Sequence, residues 1–483
     1  MKETGENVLT AGVARVDITP PIGFRMQGIM RRIEPSVGVH MPLLATGLVL
    51  ADNNHKIAII DCDLIGLDLP LVDEIRRSVA DRIGTETGHV TVACTHTHNS
   101  PATFRTGLGG PHDIAPRPGE IESLDAYITE LVDKLAGLIA AADGSRQPAR
   151  AGAGRGEAAV NINREEMMED GRVFVGRNPD GVTDHSVDVL RVDALNGEPI
   201  AVVCSYAAHP VVMGMDSFLL GPDYPGVVRR IVEQTTGATC LFLTGAAGNQ
   251  ATIEFLQHDW DEVERIGGVI GSEAAKTAIG IETRPHEVSR HTADSMSSLV
   301  LYGKQFQDGP THRVLGVASR KATVPLQPLP SLKEAEAQHT SSVRDLAERR
   351  SRRTSEREMV PALMMERWTR GVLEKVRSGV GHEDLSFEIV GYRLDDYVLV
   401  AMPGEPFVEI ALGVKARSKA PHTMFAGYGN GNVAYWPSAE TVANGGMAVE
   451  ASVKTYDISA PPTAETVEIL VSEFGKLLEE LGL

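Results

Sequence analysis

The sequence predicts an α/β fold of mixed β-sheets flanked by helices, with an active site at the C-terminal ends of strands. Three observations carry this expectation. Short β-branched, apolar runs recur, as in KIAIIDCD (56–63), VTVAC (90–94), PIAVVCSY (199–206) and TCLFLT (239–244), and such runs read as buried strands. Helical spacing of apolar residues lies between them, as at 71–83, and strand–helix–strand order implies crossovers in a parallel or mixed sheet. Polar, chemistry-bearing residues stand where the apolar runs stop.

Taken in order, 11–21 is a strand ended by two prolines. Strands follow at 38–50 and 56–63. Asp61 and Asp63 close the second, where each carboxylate either faces a cleft or caps the next helix. The stretch 100–122 is rich in Gly and Pro and carries Arg105, His112 and Arg117; it is long for a connector and reads as a pocket loop. A helix at 123–142 and a strand at 149–159 lead into Asn161-Ile-Asn163-Arg164. GAAGNQ (245–250) is a Gly-rich turn able to cradle an anion or to let backbone approach substrate, without the GK[ST] of a Walker motif. The stretch 332–377 is rich in Ala, Glu and Arg, and Pro361 is expected to split it into two helices. Those helices form a surface hairpin, a lid or a subunit contact. Two strands at 387–402 end in Pro403-Gly404-Glu405, and 463–481 is an amphipathic helix. No internal repeat is visible.

Composition bounds the function. Of 483 residues, 42% are hydrophobic and 23% charged, a soluble globular balance. The net charge of −19 argues against nucleic acid and anionic membrane surfaces as partners. No apolar run is long enough for stable membrane insertion, and the polar N-terminus lacks a signal peptide's apolar core. Cys62, Cys94, Cys204 and Cys240 all sit in apolar runs and read as buried thiols. The expected compartment is the cytoplasm.

The chemistry gathers at strand ends. His96 and His98, in THTHNSP, are two residues apart and so lie on one side of an extended chain. They can share a metal, or one can bind it while the other works on substrate; an isolated pair of this kind can also be two hydrogen-bonded loop histidines. His209 and Glu405 end two further apolar runs, and strand ends in a sheet enzyme converge on one cleft. Two His and one Glu are a common catalytic zinc set, which lowers the pKa of bound water to about 7.

Seven segments, in order, resemble the neutral/alkaline (non-lysosomal) ceramidase family: GVARVDITPPIGFRMQG, THTHNSP, VNINR, SYAAHP, GAAGNQ, MPGEPFVE and NGNVAYWP. The resemblance implies one large catalytic domain over 1–483, with a helical hairpin inserted at about 332–378. It implies Zn2+ held by His96, His209, Glu405 and Tyr435, with His98 and Arg164 facing the scissile carbonyl. The implied reaction is hydrolysis of a linear amide in a small-molecule N-acyl substrate, with zinc-bound hydroxide as nucleophile. His98 is a candidate for the general acid. The departures are Ala246 in place of the family's Asp, Met447 near its second tyrosine, and no room for its C-terminal immunoglobulin-like domain. They leave two alternatives: a zinc esterase or lactonase acting on a small polar substrate, and a non-catalytic ligand-binding member. The charges of 100–122 point to short or polar acyl groups. A TIM barrel does not fit, because too much α/β sequence precedes His96 and no eightfold rhythm follows. The oligomeric state is left open.

Overall fold

The computed structural model describes residues 8–104, 116–293, 298–307 and 315–483. Arg105 and His112 lie outside them.

The chain builds the same topology three times. In the first unit, Thr10–Asp17, Leu44–Ala51 and Lys56–Cys62 pair antiparallel in succession. Helix Leu69–Ile83 then crosses over, and Val90–Cys94 returns parallel to Lys56–Cys62. Helix Glu120–Gly144 follows. The second unit repeats this with strands Gln147–Glu157, Ser186–Ala194 and Pro199–Tyr206, helix Tyr224–Thr236, parallel strand Thr239–Thr244 and helix Trp260–Gly280. The third uses Leu315–Pro325, Asp384–Leu394 and Tyr397–Ala401, helix Val408–Arg417, parallel strand His422–Ala426 and helix Thr466–Glu480. The first two units join edge to edge as one eight-stranded sheet, through Thr10 and Ala11 opposite Pro148 and Gln147. The mixed-sheet expectation holds. The repeat escaped the sequence because topology is fixed by apolar patterning and crossover handedness, which many different residues satisfy.

The inner faces of all three units meet in one core. Leu48, Ile59 and Ala93 of the first pack with Leu190, Val203 and Leu241 of the second and with Val390, Leu399 and Met424 of the third. Outer faces are covered by each unit's own helices, for example Ile75 and Leu135 on the first and Val228 and Ile270 on the second. Local signals set those helices. Asp68 accepts from the Leu71 N–H at the start of Leu69–Ile83, and Gly84, at φ 67°, ends it in the left-handed region that glycine adopts freely.

Each unit also carries an insertion between its first and second strands. In the first it spans 18–43. In the second it contains strands Asn161–Met167 and Val173–Asn178. In the third it contains helices Leu332–Ser351 and Glu356–Arg377. Pro361 does not make the break between these two helices. It sits in the second turn of Glu356–Arg377, where it removes a single bond to the Arg357 carbonyl while Val360, Ala362 and Met364 remain buried. The break falls before Ser355, whose N–H and hydroxyl donate to the Glu358 carboxylate.

Asp61 and Asp63 neither cap a helix nor face the site. Both are fully buried, and both pair with Arg229 of helix Tyr224–Thr236. Among the described residues, no helix is long and apolar enough to cross a membrane.

Candidate metal and catalytic site

Each unit hands residues to one site from its strand ends. Strand Val90–Cys94 stops because the chain turns, with His96 in the left-handed region at φ 66°. The turn is held by the His96 N–H on the Leu64 carbonyl, 2.9 Å. His209 follows Pro199–Tyr206 and Glu405 follows Tyr397–Ala401. Tyr435 is brought alongside Glu405 by a short parallel pairing.

The two imidazoles are oriented from behind. His96 Nδ1 lies 2.5 Å from the Ile65 carbonyl and His209 Nδ1 2.8 Å from the Ala247 carbonyl. A carbonyl only accepts, so each Nδ1 carries the proton and each Nε2 presents a lone pair. Those Nε2 atoms lie 3.1 Å apart, and Glu405 Oε2 lies 3.4 and 3.2 Å from them. Three acceptors thus converge on one point with no proton between them, which is repulsive unless a cation sits there. Ligands 2.0–2.1 Å from a tetrahedral zinc stand roughly 3.3–3.4 Å from one another. The donor set and its spacing fit that ion.

Electrostatics favours the ligating forms. Burial first, and then nearby Arg164, push His209 down to about 3, so its imidazole is neutral. His98 is likewise pushed well down, by burial and then by His96 and His209.

His98 stands close by, one ligand atom of each of His96, His98 and His209 lying within 4.8 Å of the others. Proximity alone groups these three histidines. The orientation of Nε2 and the carboxylate contacts instead favour His96, His209 and Glu405, because both nitrogens of His98 are buried without a hydrogen-bond partner. Gly28 makes room for its ring: at φ 95°, a Cβ there would lie 2.6 Å from His98 Nδ1. Arg164 is buried, with Nε and Nη2 on the Gly248 carbonyl (3.1 and 2.7 Å) and Nη2 also 3.1 Å from the Tyr435 hydroxyl.

The GAAGNQ turn works differently from the expected anion cradle. Its Ala247 and Gly248 carbonyls accept from His209 and Arg164, so it orients side chains with oxygens rather than binding an anion with N–H groups. Gly248 permits a close approach, since a Cβ would meet the Glu405 carbonyl at 2.6 Å.

Two tyrosines were not singled out from the sequence. Tyr428 stacks on His96 with ring centroids 4.2 Å apart, and its hydroxyl donates to Glu405 Oε2 at 3.4 Å. It follows the apolar strand His422–Ala426, so the rule that found His209 and Glu405 would have found it too. Tyr456 donates to the other oxygen, Glu405 Oε1. It therefore supplies a phenol beside Glu405 that the expectation resting on Met447 left out. Burial and then Glu405 push both phenols well above their ordinary pKa, so they remain donors.

The site opens into a cavity of about 300 Å³. Beyond the polar residues, its walls are apolar, including Ile29, Met30, Val175, Phe255, Met364 and Met447. Arg117 is not among them. It lines a separate cavity with Arg25 and Glu120, so the one described charge of 100–122 expected to select a polar substrate lies elsewhere.

Residues 9–247 match the family model described as neutral/alkaline non-lysosomal ceramidase, N-terminal. Neutral ceramidase B of Dictyostelium discoideum is 26% identical over 249 residues, covering 48% of this chain and 33% of that protein. The match thus spans about a third of that relative's length. The fold is shared with the crystal structure of neutral ceramidase from Pseudomonas aeruginosa, at TM-score 0.66 and 17% identity over 99% of this chain and 75% of the other. It is equally shared with a ceramidase complexed with C2, at TM-score 0.66 and 18% identity over 99% and 76%. The family model, the relative and the fold agree: residues 9–247 match the N-terminal part of the neutral/alkaline non-lysosomal ceramidase family, and the chain as a whole shares the fold of its solved members.

Proposed function

We propose that this chain is a zinc-dependent hydrolase that cleaves the linear amide bond of an N-acyl compound. The observation that carries the reading is the convergence of two Nε2 lone pairs and one carboxylate oxygen within 3.1–3.4 Å. His96, His209, Glu405 and Tyr435 would hold the metal. When bound, zinc supplies a Lewis acid and lowers the pKa of a water ligand to about 7.

The chain's own residues do the rest. Arg164, fixed by the Gly248 carbonyl and the Tyr435 hydroxyl, directs its charge toward the position where a carbonyl oxygen becomes negative. His98 is neutral and has no protein partner on either ring nitrogen. Its one N–H can therefore donate to the oxyanion, and its bare nitrogen can take the proton released by the attacking water and hand it to the departing amine. The apolar walls exclude water and suit an apolar acyl group better than the small polar substrate considered above. An ester of the same acyl group would pass through the same geometry.

The shared core of the three units supports one large catalytic domain. The cysteines are free and buried, with Cys204 and Cys240 Sγ atoms 3.8 Å apart, which supports a reducing, cytoplasmic setting. The test is metal analysis of the purified chain, with turnover on N-acyl compounds before and after chelation. About one zinc per chain, with activity lost on chelation and restored by zinc, is expected. Undiminished turnover by a zinc-free chain would overturn the proposal.

A further inference from the structure

The insertions between first and second strands share more than their place in the topology. The first brings Gly28, Ile29 and Met30 to the site cavity, and the second brings Arg164 and Val175. The third brings Met364, from helix Glu356–Arg377 of the hairpin. Met364 is 2% exposed and packs with Val360, Ile33 and the partly buried Met30, so two insertions interlock over the cavity. Arg357 adds an ion pair to Glu34 at 3.1 Å. Farther along the same helix, Arg367 donates to the Lys454 carbonyl at 3.2 Å and Trp368 to the Ile458 carbonyl at 2.7 Å. These bonds bracket Tyr456, and the cavity residues Met447, Ala451 and Thr455 lie just upstream. One helix therefore ties together two other segments that line the cavity and adds its own side chain between them.

We propose that helix Glu356–Arg377 is the specificity-determining wall of the acyl pocket, with Met364 in contact with the apolar chain of the substrate. The inference rests on the N-acyl reading above and deepens it. Met364 is unbranched and flexible, so the wall adapts to chain shape while limiting the space available. The cavity, at about 300 Å³, is at the small end for a ligand pocket, so the volume of one wall residue weighs heavily.

The test compares wild type, Met364→Ala and Met364→Phe on N-acyl amides that share one amine and run from acetyl to palmitoyl. The thermal stabilisation of each protein by the matching fatty carboxylates is measured alongside. Met364→Ala should raise the long-to-short ratio of kcat/KM by roughly 10-fold or more, the effect of one to a few methylenes in an apolar pocket. Met364→Phe should lower it, and stabilisation should follow the same order. Met364→Phe keeps a buried apolar contact to Val360, so it decides the matter if the alanine variant folds poorly. A wild type that turns over no N-acyl compound overturns the reaction, while the carboxylate series still tests the wall. Variants with the wild-type chain-length profile in both measurements, or a wild type whose turnover and stabilisation ignore chain length, overturn the wall.

Discussion

Two buried polar clusters stand at strand ends in this molecule, and they differ in one respect. In the first, Asp61 and Asp63 face Arg229. Nη1 reaches Asp61 at 3.1 Å and Nη2 reaches Asp63, while the Phe242 and Leu44 N–H groups donate at 3.0 and 2.9 Å. Its cation is built in. In the second, His96, His209 and Glu405 meet as three acceptors, and Arg164 makes its hydrogen bonds to the Gly248 carbonyl and the Tyr435 hydroxyl rather than to them. A buried cluster that supplies its own counter-charge holds the fold together. A cluster that aims lone pairs at one another is shaped for something that arrives from outside.

The contrast can be broken at four places. His209→Ala should remove the zinc and reduce turnover to that of the chelated protein, while the chain stays folded. Metal analysis and a melting curve together check this, and full zinc in the variant would refute the ligand assignment.

Arg229→Met should do the reverse, costing about 3–5 kcal/mol of stability, the usual loss when one partner of a buried pair is removed. Its pH dependence follows from Asp61, which burial raises to about 7 even against the pull of Arg229. Without that cation the folded pKa rises further above the unfolded value of about 3.9. Stability is then retained at acid pH and lost as pH rises through the folded pKa. A variant no less stable at pH 8 than at pH 5, both relative to wild type, would contradict this.

Arg164→Met should lower kcat by roughly 10²–10³, the effect of losing one oxyanion donor, with zinc content unchanged. Near wild-type turnover would confine Arg164 to a structural role on the Gly248 carbonyl. The smallest effect is expected from Tyr456→Phe, which removes one donor to Glu405 Oε1. Partners behind a ligating residue typically contribute about 10–100-fold in metal affinity. Competition with a chelator measures it, and unchanged affinity would make Tyr456 a packing residue.

What the sequence displayed of this site follows from where its parts sit. His96, His209 and Glu405 were readable because a polar residue abruptly ends an apolar run. The same rule applied to Asp61 and Asp63 and could not distinguish them, since the difference lies in Arg229, more than a hundred residues away in the chain. Tyr435 was reached through resemblance alone, because a tyrosine after an Asn-Gly-Asn turn reads as packing. Tyr456 gave no signal: it follows a single helical turn, Ser452–Thr455, too short to show a period. The helix boundary at Ser355 was written in its Ser-x-x-Glu capping pattern, which Pro361 overshadowed.

The spacing of the converging residues along the chain sets a clock. His96 and His209 leave the ribosome well before Glu405, and Tyr456 later still. At about 5–20 residues per second, roughly 10–50 s separate the synthesis of His209 from that of Tyr456. For roughly the first 10–40 s of that interval, until Glu405 is made, the two imidazoles have no carboxylate to complete the set. Metal capture by the full set, on the proposed reading, is therefore a late event that waits for the third unit to be made.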